Sequence, residues 1–354
     1  MSSTTTTKVK DVLTTGEVAK ICNVAPRTVS KWFDSGSLRG YRIPGSKDRR
    51  IPVGELIKFM RAHGIPMEGI NTGRTRVLIV DDEGEVTATL HKVLGDRAIE
   101  AGARVRLGVT ATAFDDDGEG VTVAFSDGGS GRYDFVIGAD GIYSQTRQMI
   151  FPDAPGPEFT GQAVWRYNLP RPEDVVSLHA YEGPIGAGLM PLSKDLMYMF
   201  LTTPEPDNRR YPREQLAAAM RSKLAGLAPA LVALGEQITD NDEVVYKPLE
   251  WLMLEGDWHK GRIVLLGDAV HATTPHLGQG AGMAIEESIV LADELARAET
   301  VEQAFRAFRD RRFERCAYIV RSSLAICHSQ LGKGPRVEQA KASHDMFVVT
   351  AEPI

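Results

Sequence analysis

Residues 262–297 combine the residue types that can hold a phosphorylated or hydroxyl-rich ligand. An apolar run at 263–266 predicts a buried strand, which ends at Gly267 and Asp268. A turn rich in glycine (278, 280 and 282) follows, and it opens a helix that we expect to reach about residue 298. Glycines let the backbone approach a ligand closely, and a helix start offers unpaired N–H groups and a positive dipole end. The segment therefore predicts a cofactor site, in which Asp268 accepts hydrogen bonds from ligand hydroxyls.

A second stretch, residues 134–147, reads Asp-Phe-Val-Ile-Gly-Ala-Asp-Gly-Ile-Tyr-Ser-Gln-Thr-Arg and ends an apolar strand at Asp140 and Gly141. The two stretches, in this order, resemble the flavin-binding motifs of the FAD-dependent aromatic hydroxylases, the para-hydroxybenzoate hydroxylase-like monooxygenases. The intervening Trp165-Arg166-Tyr167 and the 246–249 segment, Tyr-Lys-Pro-Leu, resemble the substrate region of that family. The resemblance covers roughly residues 87–330.

The resemblance implies that FAD is the cofactor, NAD(P)H the electron donor and a small aromatic compound the substrate. Asp268 would bind the ribityl hydroxyls, Pro275 would line the oxygen-reacting face, and residues 278–280 would donate backbone N–H groups near N1 and C2 of the flavin. Asp140 would lie near the pyrophosphate and Arg147 near the nicotinamide donor. The implied cofactor-binding residues are Asp140, Gly141, Arg147, Gly267, Asp268, Pro275, Gly278, Gln279, Gly280 and Gly282.

No catalytic acid or base and no metal ligand follow from these motifs. We expect His271 and His276 to be local hydrogen-bonding or packing residues. Arg166, Tyr198 and Lys247 could touch substrate, but we expect packing to fill that face of the sheet.

The first nucleotide-binding unit of the family, a strand, a Gly-x-Gly-x-x-Gly turn and a helix, is missing. That glycine spacing occurs nowhere in the 354 residues. The apolar residues 77–80 could replace the first strand of a parallel sheet, but Asp81, Asp82 and Glu83 follow them. Three carboxylates would repel a pyrophosphate, and Thr87 stands where the family often has a pyrophosphate-binding arginine. We therefore expect FAD binding to be weakened.

The strand and acidic residues at 77–83 also resemble the start of a response-regulator receiver domain. Asp127 falls near the distance expected of a phosphoacceptor, but it lies in a Ser-Asp-Gly-Gly turn. Lys247-Pro248 lies much too far along the chain to be the receiver's Lys-Pro pair. The phosphorelay hypothesis therefore fails on spacing, and we place a fusion junction near residues 83–87.

Residues 8–70 predict a winged helix-turn-helix domain and resemble the excisionase and MerR-type DNA-binding domains. The expected elements are a helix at 13–22 capped by Thr14 or Thr15, a helix at 25–34 with Pro26 in its first turn, a basic hairpin at 38–52 that turns at 44–46, and a helix at 53–63. The resemblance implies that Arg27, Thr28 and Lys31 read bases. It implies that the DNA backbone is held by Arg42, Lys47, Arg49 and Arg50.

Charge separates this head from the rest of the chain. Residues 1–76 carry 14 Lys and Arg against 6 Asp and Glu, and the remainder carries 27 against 41. A basic head on an acidic body indicates that duplex DNA is a partner of the head alone. Since one copy of such a head binds weakly, we expect dimers, a homodimer being one form, or tandem binding.

The three cysteines, Cys22, Cys316 and Cys327, are too few and too scattered for a disulfide framework and form no metal-like pair. This fits a reducing compartment. No secretory signal is evident, and no apolar run is long enough to cross a membrane. We therefore expect a cytoplasmic protein without membrane contact.

The predicted fold is a multidomain α+β and α/β chain. A winged helix-turn-helix precedes a truncated FAD/NAD(P)-binding fold of the para-hydroxybenzoate hydroxylase type with an antiparallel substrate-domain sheet. We expect an FAD-dependent monooxygenase of impaired activity on a DNA-binding head; the alternative is a DNA-binding protein with an inert flavoprotein-derived body. The expected divisions are the head at 8–70, a linker and receiver-like strand at 71–86, a partial FAD lobe at 87–155, the substrate sheet at 156–255, the FAD-binding return at 256–330 and a loose tail at 331–354.

Overall fold

A computed structural model of the chain describes residues 12–43, 48–63, 65, 77–80, 89–181 and 185–354. The chain divides into two compact units, Met1–Thr75 and Arg76–Ile354. Several sequence expectations fall outside the described residues and stay predictions: the 44–46 turn, Lys47, the linker at 71–76, the acidic residues 81–83 and Thr87. The finer six-part division also stays a prediction.

The described part of the first unit consists of three short helices and a three-stranded antiparallel sheet. Its elements are β1 (Val12–Thr14), α1 (Thr15–Ile21), α2 (Pro26–Asp34), β2 (Tyr41–Arg42), β3 (Arg49–Pro52) and α3 (Val53–Ala62). The hairpin of β2 and β3 is the expected wing, and β1 adds a third strand beside β3 that the pattern did not predict. Thr14 begins α1 with a capping box: its Oγ1 accepts the Glu17 N–H at 3.2 Å, and Glu17 accepts the Thr14 N–H at 2.8 Å.

The second unit begins with a strand, a helix and a β-meander that lead into a second short helix. These elements are β4 (Val77–Val80), α4 (Thr89–Glu100), β5 (Ala111–Asp116), β6 (Val121–Phe125), β7 (Ser130–Tyr133), β8 (Phe135–Gly138) and α5 (Gln145–Ile150). Residues 103–107, between α4 and β5, adopt no regular structure. β7 closes the meander, and β8 starts another sheet.

A five-stranded antiparallel sheet follows. Its strands and the helices beside them are β9 (Glu158–Pro170), β10 (His179–Tyr181), β11 (Gly186–Pro191), β12 (Leu196–Pro204), α6 (Leu216–Lys223), α7 (Pro229–Gly235) and β13 (Val245–Trp251). The strand order is β10-β11-β12-β9-β13. Trp165, Tyr167 and Leu169 alternate along β9 and bury one face of the sheet with Met220 and Leu224 of the α6 region. The other face of β9 therefore carries Arg166.

The chain then returns to complete a second sheet and ends in helices. These elements are β14 (His259–Lys260), β15 (Ile263–Leu265), α8 (Asp268–His271), α9 (Gly280–Arg297), α10 (Val301–Gln330) and α11 (Gln339–Ala351). The prediction of a loose tail at 331–354 is wrong, because α11 occupies most of this segment and buries Met346. No helix among the described residues is both long enough and apolar enough for a membrane span.

A mixed sheet, in the order β14-β15-β8-β4 with β14 antiparallel to β15, positions both predicted motifs. β8 lies between β15 and β4 and pairs in parallel with each, so that Gly138 is level with both Leu265 and Val80. The carboxyl ends of parallel strands meet at one edge of the sheet. The loops that begin after Gly138 and Leu265 are therefore neighbours, although 127 residues separate Asp140 from Gly267.

A buried ion pair fixes the end of β15 to the helices. Glu287 of α9 accepts the Gly267 N–H at 2.8 Å through Oε2, and its Oε1 pairs with His271 Nε2. Cys316 of α10 donates its thiol to the same Oε1 at 3.3 Å. The three side chains are fully buried, and their ligand atoms lie within 4.8 Å of one another, a spacing that could also hold a metal ion. We describe the group as an ion pair because both Glu287 oxygens already accept hydrogen bonds.

The two partners shift each other's pKa. Burial alone would lower the pKa of His271, but the charge on Glu287 and the contact with Cys316 outweigh it and hold that pKa well above the ordinary 6.5. Burial opposes the charge on Glu287 as well, yet His271 and the Gly267 N–H keep its pKa below the ordinary 4.5. The pair is therefore charged in the folded protein over the neutral range.

We expect this pair to stabilise the second unit most between the two ordinary pKa values, 4.5 and 6.5. Above 6.5 its contribution falls as the pH rises through the raised pKa of His271, and below 4.5 it falls as the pH drops through the lowered pKa of Glu287. Glu287→Gln leaves His271 without its countercharge, so it should lower the free energy of unfolding by about 3–5 kcal/mol within that window.

Urea denaturation at a series of pH values measures this effect. The matched control is Glu299→Gln, which makes the same change at an exposed position and should leave stability and its pH profile unaltered. If the stability of the Glu287→Gln protein has the same pH profile as that of the wild type, the pair does not contribute to the pH dependence of unfolding.

Candidate cofactor and DNA-binding sites

The candidate cofactor site is the surface beside the loops that follow β8 and β15, which is called the crevice below. The Asp-Gly loop follows β8 and the Gly-Asp segment follows β15, so Asp140 and Asp268 stand at the ends of adjacent parallel strands. Gly267 makes the turn with φ +63°, a conformation that other residues rarely adopt, and a Cβ there would meet Ala284 of α9. Asp268 is exposed beside a fully buried strand. The arrangement is a ligand-binding edge of the kind found where parallel strands end.

Asp140 organises the Asp-Gly loop from inside. Its Oδ1 accepts the Ser144 hydroxyl at 2.5 Å, and its Oδ2 accepts the Thr146 N–H at 2.8 Å. Ser144 in turn caps α5 by accepting the Arg147 N–H at 2.9 Å. Gly141, next in the loop, has a φ of +72°. Asp140 thus fixes the loop that faces the crevice, and its carboxylate is only 5% exposed.

Arg147 does not face the crevice in the way the resemblance implied. It is 1% exposed, and its guanidinium donates to the Ala269 carbonyl and to the Ile142 carbonyl, each at 2.8 Å. Burial lowers the pKa of this guanidinium, and the charge on Asp140 partly restores it. Because its donors are held by backbone carbonyls, Arg147 ties the Asp-Gly loop to the Gly-Asp segment and is not placed to contact a nicotinamide donor.

The glycine turn before α9 forms an open cradle. Pro275 starts a single 3-10 turn that ends at Gly278, which has the left-handed φ of +64°. No side chain caps α9, whose N-cap is Gln279 and whose first residue is Gly280. A Cβ at Gly278 would meet nothing within 4 Å, so space is open above the turn. The first-turn N–H groups, including that of Gly282, are therefore available to an electron-rich ligand atom.

His276 joins this turn to the antiparallel sheet. Its Nδ1 lies 2.9 Å from the Thr274 hydroxyl, and its Nε2 lies 3.2 Å from Gln330 Oε1. The same Gln330 oxygen accepts from Gln162 and Thr202 of the sheet. Burial lowers the pKa of His276 to about 4, so the ring is neutral, with Nε2 carrying the proton because an amide oxygen can only accept. His276 is a connecting residue, as the sequence predicted.

The face of the antiparallel sheet that carries Arg166 is packed at one end, where Gln162, Val164 and Thr202 are buried, and is open at the other. Arg166 and Lys247 are both exposed, and the Arg166 guanidinium lies over the Tyr198 ring at 5.4 Å. Trp165, in contrast, is buried on the opposite face, where its indole N–H donates to Thr203 at 2.9 Å. The accessible face therefore combines cations with an aromatic ring.

Sequence reasoning missed Glu287, the residue that holds Gly267 in place. The position of Glu287 could have indicated its burial, because Met283, Glu287 and Val290 lie on the same buried side of α9. A carboxylate on an otherwise apolar stripe indicates a buried partner. The identity of that partner, His271, depends on a contact across 16 residues that no local pattern specifies.

The head presents α2 as the expected recognition helix. Arg27 and Lys31, one helical turn apart, are exposed, and Thr28 is half-buried beside them. Val29 packs inward and is fully buried. The exposed side of α2 therefore carries the three residues predicted to read bases.

Two of the predicted backbone-holding arginines are already paired within the head. Asp34, at the end of α2, lies 2.8 Å from Arg42 and 2.6 Å from Arg49, and both guanidinium groups lie near the Phe33 ring. These hydrogen bonds, led by that of Arg49, lower the pKa of Asp34. Arg50 is half-buried and donates to the Arg49 carbonyl at 3.2 Å. Arg42 and Arg49 therefore do not project singly into solvent; Asp34 joins the wing to α2.

Known proteins resemble the second unit closely enough to align over most of its length. The chain is 30% identical over 245 residues to the FAD-dependent urate hydroxylase of Klebsiella pneumoniae, covering 67% of this chain and 62% of that protein. It is 32% identical over 269 residues to the 6-hydroxynicotinate 3-monooxygenase of Bordetella bronchiseptica, covering 69% and 67%. The chain thus spans about two thirds of the length of these relatives.

Solved structures also resemble this chain. A variant of HpxO from Klebsiella pneumoniae in complex with FAD superposes with a TM-score of 0.62 at 25% identity, covering 84% of this chain and 83% of that one. A salicylate hydroxylase substrate complex gives a TM-score of 0.62 at 21% identity over 78% and 79%, which shows the shared fold.

Two family models match the chain without overlap. The helix-turn-helix domain matches residues 12–64, which span the described elements of the head. The FAD binding domain matches residues 85–323, about two thirds of the chain, and both motifs of the crevice lie inside that match. The chain therefore belongs to the FAD-binding domain family of flavin-dependent monooxygenases and carries a helix-turn-helix domain ahead of it.

Proposed function

We propose that the second unit binds the flavin half of FAD in the crevice at the carboxyl ends of β8 and β15 and acts as a monooxygenase on a small aromatic substrate, with NAD(P)H as electron donor. The observation that carries this proposal is the meeting of Asp140, Asp268 and the uncapped start of α9 where these two parallel strands end. Titration of the purified chain with FAD, followed by substrate-dependent oxidation of NADPH, tests it.

The crevice fits the isoalloxazine and ribityl parts of FAD. The exposed carboxylate of Asp268 suits a hydroxyl-bearing chain, and the open first turn of α9 suits the electron-rich N1 and C2 carbonyl region of a flavin. A Cβ at Gly278 would meet nothing within 4 Å, whereas Thr273 lies near Gly280 and the Gln279 side chain lies near Gly282. A bound reduced flavin would supply oxygen activation and the transfer of one oxygen atom to an electron-rich ring.

The nucleotide-binding unit that holds the adenosine end of FAD in the family has no counterpart in this sequence. The sequence contains no Gly-x-Gly-x-x-Gly turn, and β4 is the parallel neighbour of β8 where such a turn would begin. Three carboxylates follow β4 in the sequence. We propose that β4 replaces the first strand of a truncated nucleotide-binding fold and that FAD binding is weakened accordingly.

The residues of the crevice have separate roles in this proposal. Arg147 holds the Asp-Gly loop against the Gly-Asp segment, Glu287 fixes Gly267, and Asp268 orients the ribityl chain. The positive end of α9 stabilises negative charge on the flavin ring without any side-chain acid. The same crevice is lined or shaped by the other predicted cofactor-binding residues, which are Asp140, Gly141, Gly267, Pro275, Gln279, Gly280 and Gly282.

The five-stranded sheet is the proposed substrate wall. Its open face offers Arg166 and Lys247 beside the Tyr198 ring, so an aromatic compound could stack and pair at one surface. The named relatives act on urate and 6-hydroxynicotinate, both small heteroaromatic compounds. A small aromatic substrate is therefore the proposal for this chain.

The head is proposed to bind duplex DNA, with Arg27, Thr28 and Lys31 of α2 in a major groove and the wing on the DNA backbone. The helix-turn-helix match, the exposed cations of α2 and the basic charge of residues 1–76 support this. The second candidate function, a DNA-binding protein with an inert body, is favoured only by the missing glycine turn. It predicts that FAD does not bind at all.

We expect Asp268→Ala to weaken FAD binding about tenfold or more, because a charged hydrogen bond to the ribityl chain contributes about 1.5–3 kcal/mol. Quenching of flavin fluorescence during titration measures the affinity. Asp153→Ala, which removes an exposed carboxylate from a loop outside both motifs, is the control and should bind FAD as wild type does. Equal affinity of all three proteins would place the flavin elsewhere.

We expect Lys31→Ala to weaken binding to a random-sequence duplex and to reduce the slope of log affinity against log salt by about 0.9, since one fewer cation displaces counterions. Lys58→Ala removes the same charge from an exposed position on α3 and should change neither quantity. Fluorescence anisotropy at several salt concentrations gives both values. If the two variants lose affinity equally, α2 is not the element that meets DNA.

A further inference from the structure

One side of α9 is apolar and exposed. Ile285 and Ile289, one turn apart, are 45% and 56% exposed. Ser288 lies beside them, and its hydroxyl donates to the Ile285 carbonyl of the same helix at 2.7 Å, so it does not need water. The rest of this exposed stripe consists of Ala281, Ala292 and Ala296. The stripe has no polar group that burial would leave unpaired.

The C-terminal segment lies beside α9 across a row of ion pairs. Arg315 contacts Glu286 of α9 at 3.1 Å and the Thr350 carbonyl at 3.5 Å, and Arg311 contacts Asp293 at 2.7 Å and the Ile354 carbonyl at 2.9 Å. Residues 350–354 therefore run alongside α9. The adjoining end of α11 exposes Phe347 and Val348 by 63% and 55%.

We propose that this surface, α9 with the end of α11, is a homodimer interface in which the α9 helices of two copies pack antiparallel about a two-fold axis. The axis passes between Ser288 and Ile289. In this register Ile285 of each copy faces Ala292 of the other, Ser288 faces Ile289, and Ala281 faces Ala296. The inference does not depend on flavin or DNA binding.

The register follows from side-chain size. In the antiparallel arrangement each isoleucine meets a small residue, so the two helices can approach closely without a void. A parallel pair would set Ile285 against Ile285 and Ile289 against Ile289, and it would leave a gap at Ala292. The antiparallel pair also places the positive end of each helix dipole beside the negative end of the other.

The exposed surface is large enough for a specific interface. Burial of the two isoleucines, the alanines, Phe347 and Val348 on both copies would remove on the order of 1,000 Å² from water, which is the lower bound for a specific protein–protein contact. Most of that area is apolar, and the interface is isologous, as two-fold dimers require. A dimer would give each particle two DNA-binding heads.

Disulfide trapping in the full chain tests the register, because the three native cysteines are buried. We expect an equimolar mixture of Ile285→Cys and Ala292→Cys proteins to form a disulfide-linked dimer on mild oxidation. Either variant alone should stay unlinked, since seven residues of helix separate equivalent positions by about 10 Å. Equal linkage of the single variants, or none in the mixture, would overturn the antiparallel register.

Sedimentation of the unmodified chain tests the interface itself. We expect a dimer that dissociates on dilution, and a monomer at every concentration for Ile289→Lys, because a buried ammonium would lack a partner. Val232→Lys changes an equally apolar residue that is 40% exposed on α7 and should remain dimeric. Matching thermal unfolding of the two variants shows that the fold is intact. A monomeric wild-type chain, or a dimeric Ile289→Lys chain, would overturn the proposal.

Discussion

The carboxylate of Glu287 is the interaction on which the second unit depends. It lies on α9 and binds the main chain at Gly267, the ring of His271 and the thiol of Cys316, and so joins both ends of α8 and the helix α10 to α9. A buried charge is costly unless its partners are supplied in fixed positions, so the helices cannot shift without breaking it. The turn at Gly267, which begins the Gly-Asp segment, is thus held from the side of α9.

Buried charges also hold the Asp-Gly loop in place. Asp140 and Arg147 are charged residues of the predicted cofactor site, yet both are buried and hydrogen-bonded to Ser144, Thr146 and backbone carbonyls. Their charge serves to hold two loops at one sheet edge. The proposed flavin contacts are therefore the exposed Asp268 and the backbone N–H groups at the start of α9.

Local patterns in the sequence predicted the local structure well. The capping residue Thr14, the helix with Pro26 in its first turn, the 77–80 strand and the glycine turn before α9 all occur as expected. Contacts between distant segments could not be predicted, because periodicity carries no information about partners. The contact of Glu287 with His271 and the contact of Asp34 with the wing are examples. The helix α11 was not predicted for a different reason, since its weak amphipathic pattern resembles that of a tail.

The central claim is that this chain keeps the flavin-facing half of its family's site without the unit that holds the adenosine. Comparison of the affinities for FAD and FMN, titrated against the same purified protein, tests it most directly. Without an adenosine site the two dissociation constants should agree within about threefold, a difference of less than about 1 kcal/mol. FAD binding that is tenfold or more tighter than FMN binding, or binding of neither, would contradict the account.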